Sequence, residues 1–186
     1  MVVRAEISIL AVEWVLFYTY WLVAALRAKR NVGWKRGSQL FRILVFVTVI
    51  TLLKGVPGLR HLMTILPGPA ARAAGLFICA LGLAFAVWAR RYLGRNWGMP
   101  MSVKEDPELV TSGPYRYVRH PIYAGLLLAL LGSALVSGAL WLMIFAILGG
   151  YFVLAARAEE RLMLRQFPEQ YAAYRARTKV MIPFVY

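Results

Sequence analysis

Long apolar stretches that alternate with basic segments constrain this fold more than any other feature of the sequence. A helix that crosses a bilayer needs about 20 mainly apolar residues, and Ile7–Leu26 satisfies this with Glu13 as its one charged residue. Leu40–Lys54 and Ala73–Ala89 are the next two apolar stretches. The sequence therefore predicts three membrane-spanning helices in the first half of the chain.

The fourth apolar stretch, Ile122–Ala156, is too long for a single span. Ser137 and Gly138 lie near its middle, and this pair favours a tight turn. We therefore predict two antiparallel helices joined there as a hairpin. Small residues let helices in a membrane approach closely, and the hairpin contains several of them: Gly125, Gly132, Ser133, Gly149 and Gly150.

Composition supports one all-α integral membrane domain. Apolar residues make up 61% of the 186-residue chain, whereas about 45–50% is usual in soluble domains. No glycine-rich phosphate loop and no GxGxxG after a strand is present, which excludes a soluble Rossmann-type cofactor domain. We predict one polytopic domain over residues 1–186. Its first three helices occupy residues 1–93, and a polar loop, the hairpin and an amphipathic tail occupy residues 94–186.

The basic residues predict the orientation of the chain in the membrane. There are 22 Lys and Arg residues against 8 Asp and Glu, and most of these cations follow the first helix, follow the third helix or lie in the tail. Because Lys and Arg favour cytoplasmic loops, we predict five spans and a cytosolic C-terminus. Cations placed beside apolar segments disfavour a nucleic-acid surface. The small size and the lack of a targeting sequence favour a prokaryotic plasma membrane.

Neither cysteine nor histidine is placed for metal binding. The single cysteine, Cys79, lies inside an apolar run, and we interpret it as a small buried hydrophobe. His61 and His120 are far apart and follow no metal-ligand spacing. We therefore expect no metal site.

The segment LVTSGPYRYVRHPIYAG, residues 109–125, is polar and basic between apolar neighbours. Because the hairpin returns the chain, Arg119 and His120 before it should face Glu159 and Glu160 after it. Charged groups at a membrane boundary are costly unless they pair with one another or bind a polar partner. The residues alone leave two interpretations: a structural salt bridge with interfacial tyrosines, or a polar pocket at the lipid interface.

The tail carries its own helical pattern. Pro168 cannot lie inside a helix, so one helix should end near Gln166 and another should begin with Pro168 in its first turn. One apolar stripe follows from residues three and four positions apart: Leu164, Phe167, Tyr171 and Tyr174. We expect the tail to lie on the membrane surface, folded over the polar loop.

The G-x-Y-x-x-x-RHPxY-x-G pattern of the polar loop, followed by EE-x6-F-x3-Y-x2-Y and IPF, resembles the isoprenylcysteine carboxyl methyltransferase family of membrane enzymes. The resemblance covers roughly residues 104–184. It implies S-adenosylmethionine as cofactor and a lipophilic methyl acceptor that enters from the bilayer. It also implies these cofactor contacts: Pro107, Glu108, Leu109, Val110, Tyr115, His120, Pro121, Ile122, Tyr123 and Glu159.

Further roles follow from the resemblance and the chemistry of the cofactor. Arg119 or His120 would meet the cofactor carboxylate, and tyrosines would pack against the adenine or the sulfonium. Glu160 would accept a proton from an amine or hydroxyl acceptor, whereas a carboxylate acceptor needs alignment more than acid–base help. Trp97, in the polar loop, would line the pocket.

One position departs from the family pattern. Where the family has an arginine for the substrate carboxylate, one helical turn before Glu159, this chain has Ala155. Either Arg157 replaces it from a shifted register, or the acceptor is not a prenylcysteine carboxylate. Glu13 is a separate candidate, since a carboxylate within a span either serves function or pairs with a cation such as Arg42.

Three other functions remain open. Phospholipid amine methyltransferases share an HPxY block and paired glutamates. Sterol reductases, which use NADPH, share an ending like IPFVY but have more spans. A non-enzymatic scaffold would bind anionic membrane lipids through its basic loops. The sequence leaves the oligomeric state open.

Overall fold

The computed structural model describes residues 2–29, 31–34, 67–97, 102–104 and 108–182. These residues contain α1 (Val2–Ala25), α2 (Pro69–Leu93), α3 (Pro121–Ser137), α4 (Ala139–Gln166) and α5 (Pro168–Arg177). Short 3₁₀ turns cover Gly94–Asn96 and Gly113–Arg116. The predicted second span, Leu40–Lys54, lies outside the described residues.

Three of the described helices are long and apolar enough to cross a membrane: α1, α4, and α2 with the 3₁₀ turn that follows it. The fourth apolar helix, α3, has 17 residues and is shorter than these. The chain is an integral membrane protein. The predicted number of five spans stays a prediction, as do the single-domain boundaries and the side of the membrane that each end faces.

Proline and glycine set the helix ends much as the sequence indicates. Pro121 and Pro168 each lie in the first turn of their helices, where a missing N–H costs nothing. Gly94 and Gly138 follow α2 and α3 with positive φ angles of 54° and 90°, a conformation open mainly to glycine. The predicted turn at Ser137 and Gly138 is confirmed, and α4 then runs unbroken past Ala156 to Gln166.

The core of the molecule is a contact between α2 and α3, which we call the glycine seam. Its residues are Gly75, Cys79 and Gly82 of α2 with Gly125, Ala129 and Gly132 of α3. A Cβ atom on Gly82 would lie 2.4 Å from the backbone nitrogen of Ala129, and one on Gly132 would lie 2.4 Å from that of Cys79. The two backbones are therefore in direct contact.

The seam confirms the role predicted for Gly125 and Gly132, and Ser133 beside it is fully buried. At Gly150 an added Cβ would meet none of the described residues within 4 Å, so no close approach is found there among them. Gly149 has only an ordinary contact, with Leu127. Cys79 is fully buried, as expected for a small hydrophobe.

Helix α1 lies against this core with little burial, and polar contacts fix it near its start and in its middle. Near its start, Arg72 Nε lies 2.5 Å from Glu6 Oε2. In the middle, the Trp14 indole donates a hydrogen bond of 3.0 Å to Ser133 Oγ. Glu13, in the same helix, has one buried oxygen without a hydrogen bond, and its suggested partner Arg42 lies outside the described residues.

The all-α prediction needs one correction. A short antiparallel ribbon pairs β1 (Asn31–Trp34) with β2 (Ser102–Lys104). These segments follow α1 and α2 in the sequence. Their pairing provides hydrogen-bond partners for backbone N–H and C=O groups that lie outside the helices. The register of the ribbon is irregular between Asn31 and Gly33. Strands this short leave no alternation of apolar and polar residues long enough to detect in the sequence.

Candidate functional site

The polar loop enters the site through a tight turn. Gly113 has a φ of 59° and rests on the ring of Tyr92, where an added Cβ would lie 2.5 Å from ring carbons. The 3₁₀ turn Gly113–Arg116 follows and buries the side chain of Tyr115. Only glycine allows both the backbone angle and the approach to the ring.

The tail docks on this loop, and we call the contact of residues 115–120 with residues 174–180 the tail junction. Backbone hydrogen bonds join Arg119 N to Lys179 O at 2.8 Å, His120 N to Val180 O at 2.9 Å and Lys179 N to Tyr117 O at 3.3 Å. The Tyr174 hydroxyl donates a further hydrogen bond of 2.7 Å to the Tyr115 carbonyl. The end of the tail is therefore hydrogen-bonded to the polar loop, and the predicted position of the tail on the membrane surface stays a prediction.

A buried ion pair crosses beneath the tail junction. Arg119 Nε donates to Glu160 Oε1 at 2.7 Å, and both side chains are nearly inaccessible. Arg119 Nη1 also donates to the backbone carbonyls of Thr178 and Arg175. Arg175 Nε lies 3.6 Å from the other oxygen of Glu160. This arrangement fixes the tail to α4.

These contacts change the roles predicted for Arg119 and Glu160. The Arg119 guanidinium is already engaged by a carboxylate and two carbonyls, which leaves little of it for a cofactor carboxylate. Glu160 does not line the cavity described below, and its two oxygens face Arg119 and Arg175. A carboxylate held this way is a weak proton acceptor, so both residues position the tail.

The neighbouring glutamate has different surroundings. Glu159 Oε1 accepts a hydrogen bond of 2.6 Å from the Tyr123 hydroxyl, and its Oε2 lies 3.4 Å from His120 Nδ1. The His120 and Tyr123 rings are parallel at 5.4 Å, and Tyr123 is parallel to Phe152 at 4.6 Å. The stacked rings fix the orientation of His120 beside the carboxylate.

His120 lies between two carboxylates. Its Nε2 is 3.5 Å from Glu160 Oε1 but makes no hydrogen bond. Burial by itself would lower the pKa of His120, but Glu159 and Glu160 outweigh burial, and the pKa lies above its ordinary value. The imidazole is therefore biased toward its charged form.

A cavity of about 370 Å³ opens beside these residues, within the usual range for small-molecule sites of roughly 300–1,000 Å³. One part of its wall is polar and contains Glu108, Tyr115, His120 and Glu159. The other part is apolar or aromatic and contains Phe17, Tyr18, Trp21, Trp97, Leu126, Phe152, Leu162 and Met163. Such a wall suits a ligand with both a charged and an apolar part.

The structure brings most of the predicted site residues to this cavity. Those that line it are Trp97, Glu108, Leu109, Val110, Tyr115, Arg119, His120, Ile122, Tyr123 and Glu159. Pro121 is buried at the start of α3 and does not line it. Pro107 lies outside the described residues.

Arg157 does not fill the role suggested for it. Its side chain is exposed and does not line the cavity. Ala155 is fully buried in an apolar cluster with Tyr151, Phe152 and Met181. A replacement arginine from a shifted register is therefore not found at this part of α4.

Several residues of the cavity were not predicted. Phe17, Tyr18 and Trp21 of α1 form one wall, and Tyr171 and Tyr174 of α5 form another. The spacing of the α1 aromatics places them on one helix face, which was the only available signal. An apolar residue within a predicted span otherwise looks the same whether it faces lipid or a ligand.

Arg90 was also not predicted as part of the site, and it holds two of the cavity walls together. Its guanidinium lies 4.5 Å from the centre of the Trp97 ring and 5.9 Å from that of Trp21. It also donates a 2.9 Å hydrogen bond to the carbonyl of Ala24 at the end of α1. Cation–π contact with a buried guanidinium fixes aromatic rings well.

Comparison with known proteins identifies the family. A model of the phospholipid methyltransferase family matches residues 70–170. The chain belongs to this family. The matched segment contains α2, α3, α4 and the polar loop, so it supplies most of the polar cavity wall.

The fold of this family member is also found among solved structures. The chain resembles the eukaryotic intramembrane Ras methyltransferase, isoprenylcysteine carboxyl methyltransferase, with a TM-score of 0.65 and 22% sequence identity. The match covers 97% of this chain and 66% of that one. The resemblance predicted from the polar motifs is confirmed, and the shared fold includes the N-terminal part that the motifs did not cover.

Two curated bacterial relatives are similar over part of their length. The cobalt-zinc-cadmium resistance protein CzcN of Cupriavidus metallidurans is 36% identical over 96 residues, which is 49% of this chain and 43% of that protein. The nickel-cobalt-cadmium resistance protein NccN of Alcaligenes xylosoxydans xylosoxydans is 34% identical over 116 residues, or 60% and 51% of the two chains. The chain thus spans about half the length of these relatives.

Proposed function

We propose that this protein transfers a methyl group from S-adenosylmethionine to a lipophilic acceptor that reaches the cavity from the bilayer. The observation that carries the proposal is the cavity itself. It joins the Glu159–His120–Tyr123 group to an aromatic and apolar wall, within a segment matched by a methyltransferase family.

The residues present fit this cofactor. An ammonium or a ribose hydroxyl would find the Glu159 carboxylate, which already accepts one hydrogen bond from Tyr123. A carboxylate would find His120, whose Nε2 is buried without a hydrogen bond. The aromatic rings of Tyr115 and Trp97 offer faces for an adenine or a sulfonium. Bound here, the cofactor would supply a methyl group activated by positive charge on sulfur.

The protein would contribute alignment and exclusion of water. The ion pair between Arg119 and Glu160 holds the tail so that Tyr171 and Tyr174 close one side of the cavity. Arg90 holds Trp21 and Trp97 on another side. Reactants held in a fixed geometry react much faster than free ones. Glu159 lines the cavity and Glu160 does not, so Glu159 would be the carboxylate nearer to an acceptor bound there.

The nature of the acceptor leaves two candidates. An isoprenylcysteine-like carboxylate, methylated on oxygen, follows from the likeness of the sequence motifs. An amine is favoured by the phospholipid methyltransferase match and by Ala155, which offers no cation to a carboxylate acceptor. In both cases the acceptor is a lipophilic molecule in a membrane.

For the topology we propose five spans and a cytosolic C-terminus. We propose a prokaryotic plasma membrane as the location.

Calorimetry on detergent-purified protein tests the cofactor. We expect S-adenosylmethionine and S-adenosylhomocysteine to bind, and Glu159→Gln to weaken binding roughly 10- to 100-fold through loss of a charged hydrogen-bond acceptor. Glu169→Gln is the matched control, because Glu169 is exposed in α5 and does not line the cavity. Displacement by NADPH, or equal losses in both variants, would contradict the proposal.

Transfer of a labelled methyl group to membrane lipid extracts then distinguishes the acceptors. A methyl ester on a carboxylate releases labelled methanol in mild alkali, whereas a methylated amine keeps its label. Incorporation that Glu159→Gln abolishes and Glu169→Gln preserves would support the reaction. Cofactor binding without incorporation into any lipid extract would contradict the lipophilic acceptor.

A further inference from the structure

A second cavity, of about 380 Å³, lies beneath the end of the tail and is not part of the proposed methyl-transfer site. It is lined by Arg119 and residues 175–180, and four of these seven residues are cations. No acidic side chain is among the described residues that line it. We call it the basic pocket.

Two of its cations are available to a ligand. Arg119 is engaged with Glu160 and the tail carbonyls, and Arg175 faces Glu160 at 3.6 Å. Arg177 and Lys179 are exposed, and neither side chain forms an ion pair within the described part of the chain. The positive charges of Arg177 and Lys179 repel each other, and no carboxylate among the described residues of the pocket offsets them. A bound anion would relieve this repulsion.

The basic pocket also lies at a definite depth. Lys179 and Val180 accept hydrogen bonds from Arg119 and His120, which directly precede the apolar helix α3. The tail end is thereby held at the level where a membrane helix begins. At the same end of the hairpin, α4 leaves its apolar part and presents three exposed arginines, at 157, 161 and 165, on one face. Both features place cations where phospholipid headgroups lie.

We propose that the basic pocket binds the phosphate-bearing headgroup of an anionic phospholipid. The guanidinium of Arg177 and the ammonium of Lys179 would contact phosphate oxygens, for which arginine offers a planar fork of donors. The bilayer supplies such a headgroup beside the pocket without diffusion through water. This site does not depend on methyl transfer.

The location of Arg119 gives this site a consequence. Arg119 lines both the basic pocket and the cavity of the candidate site, and its guanidinium fixes the tail over that cavity. An anion bound beside Arg177 and Lys179 would stabilise the docked tail. Anionic lipid should therefore keep the cavity of the candidate site closed.

Native mass spectrometry of the detergent-purified protein, with added phosphatidylglycerol or phosphatidylcholine, tests the proposal. We expect retention of phosphatidylglycerol, weakened about 30-fold in R177Q/K179Q, since each cation near an anionic lipid contributes roughly a fivefold factor. The matched control is R91Q/R95Q, which removes the same charge from exposed positions outside the pocket. A third arm replaces the lipid with inorganic phosphate.

Three results would overturn the proposal. Equal weakening in both double variants would show that net charge, rather than the pocket, retains the lipid. Equal retention of phosphatidylcholine would show that the headgroup charge is not recognised. Binding of inorganic phosphate as tight as that of phosphatidylglycerol would assign the pocket to a soluble phosphate. Hydrogen exchange provides a folding check, because the amides of helices α2 and α3 should remain protected in both variants.

Discussion

The glycine seam and the tail junction hold the same molecule together by opposite means. In the seam, small uncharged residues bring the backbones of α2 and α3 into contact over Gly82 and Gly132. In the junction, backbone hydrogen bonds join the loop to the tail, and the buried Arg119 guanidinium and His120 imidazole contact the carboxylates of Glu160 and Glu159 beneath it. Size specifies the first contact, and charge and hydrogen bonding specify the second.

The difference shows how a membrane fold can place a polar site. Contact between apolar helices cannot rely on the hydrophobic effect within lipid, so close packing of small residues takes its place. The glycine seam has little room for an added atom. Because its residues are uncharged, its stability should not depend on pH or salt. The junction depends on protonation and on each hydrogen-bond partner. The candidate active site lies beside the junction, where chemistry is available, and the seam supplies a rigid support.

The largest effect is expected from breaking the ion pair of the tail junction. Arg119→Gln leaves Glu160 buried with less compensation, and loss of one partner of a buried pair costs about 3–5 kcal/mol. Thermal unfolding in detergent and hydrogen exchange of the tail amides should show the loss, while α2 and α3 stay protected. Adding Glu160→Gln should recover part of it.

The control for this prediction is Arg116→Gln, because Arg116 is exposed three positions before Arg119. Its unfolding temperature should stay close to that of the unmodified protein. Similar losses for both variants would show that the ion pair does not hold the tail.

A smaller effect is expected from adding one methyl group to the seam. Gly132→Ala places a Cβ against the Cys79 backbone, and overpacking of this kind costs about 1–3 kcal/mol. Gly150→Ala makes the same change on α4, where an added Cβ meets none of the described residues within 4 Å. It should be neutral or stabilise the helix by up to about 1 kcal/mol. Equal unfolding temperatures for the two variants would refute the close contact.

The smallest expected effect is a pH dependence of stability in the tail junction that the glycine seam does not share. The pKa of His120 is raised in the folded protein because Glu159 and Glu160 outweigh the burial that would lower it. The stability that this imidazolium adds is therefore complete below its unfolded pKa and is lost as pH rises through the folded pKa. Hydrogen exchange between pH 6 and 9, corrected for intrinsic rates, should show weakening tail amides and unchanged seam amides.

His120→Gln should remove this dependence, since glutamine does not titrate. A pH dependence that persists in the variant, or that appears equally in α2 and α3, would assign the effect to another group.

Much of this architecture could be predicted from local sequence. Pro121, Gly138 and Pro168 mark helix ends through backbone angles and missing donors, which act within one or two residues. The return of the hairpin placed Arg119 and His120 near Glu159 and Glu160. The apolar wall from Phe17, Tyr18 and Trp21 could not be predicted, because the other residues that line the cavity begin at Leu93, more than 70 residues further along the chain.

The sequence by itself determined that this is a helical membrane protein with a polar site between the loop and the tail. The run lengths, prolines and motif spacings that establish this are local properties. Only the tertiary structure decided which way the side chains of Glu159 and Glu160 face. Adjacent residues on a helix point about 100° apart, so the rotation of α4 against α3 and α5 turns Glu159 to the cavity and Glu160 to Arg119. That rotation is set by packing among all the helices, and no single segment encodes it.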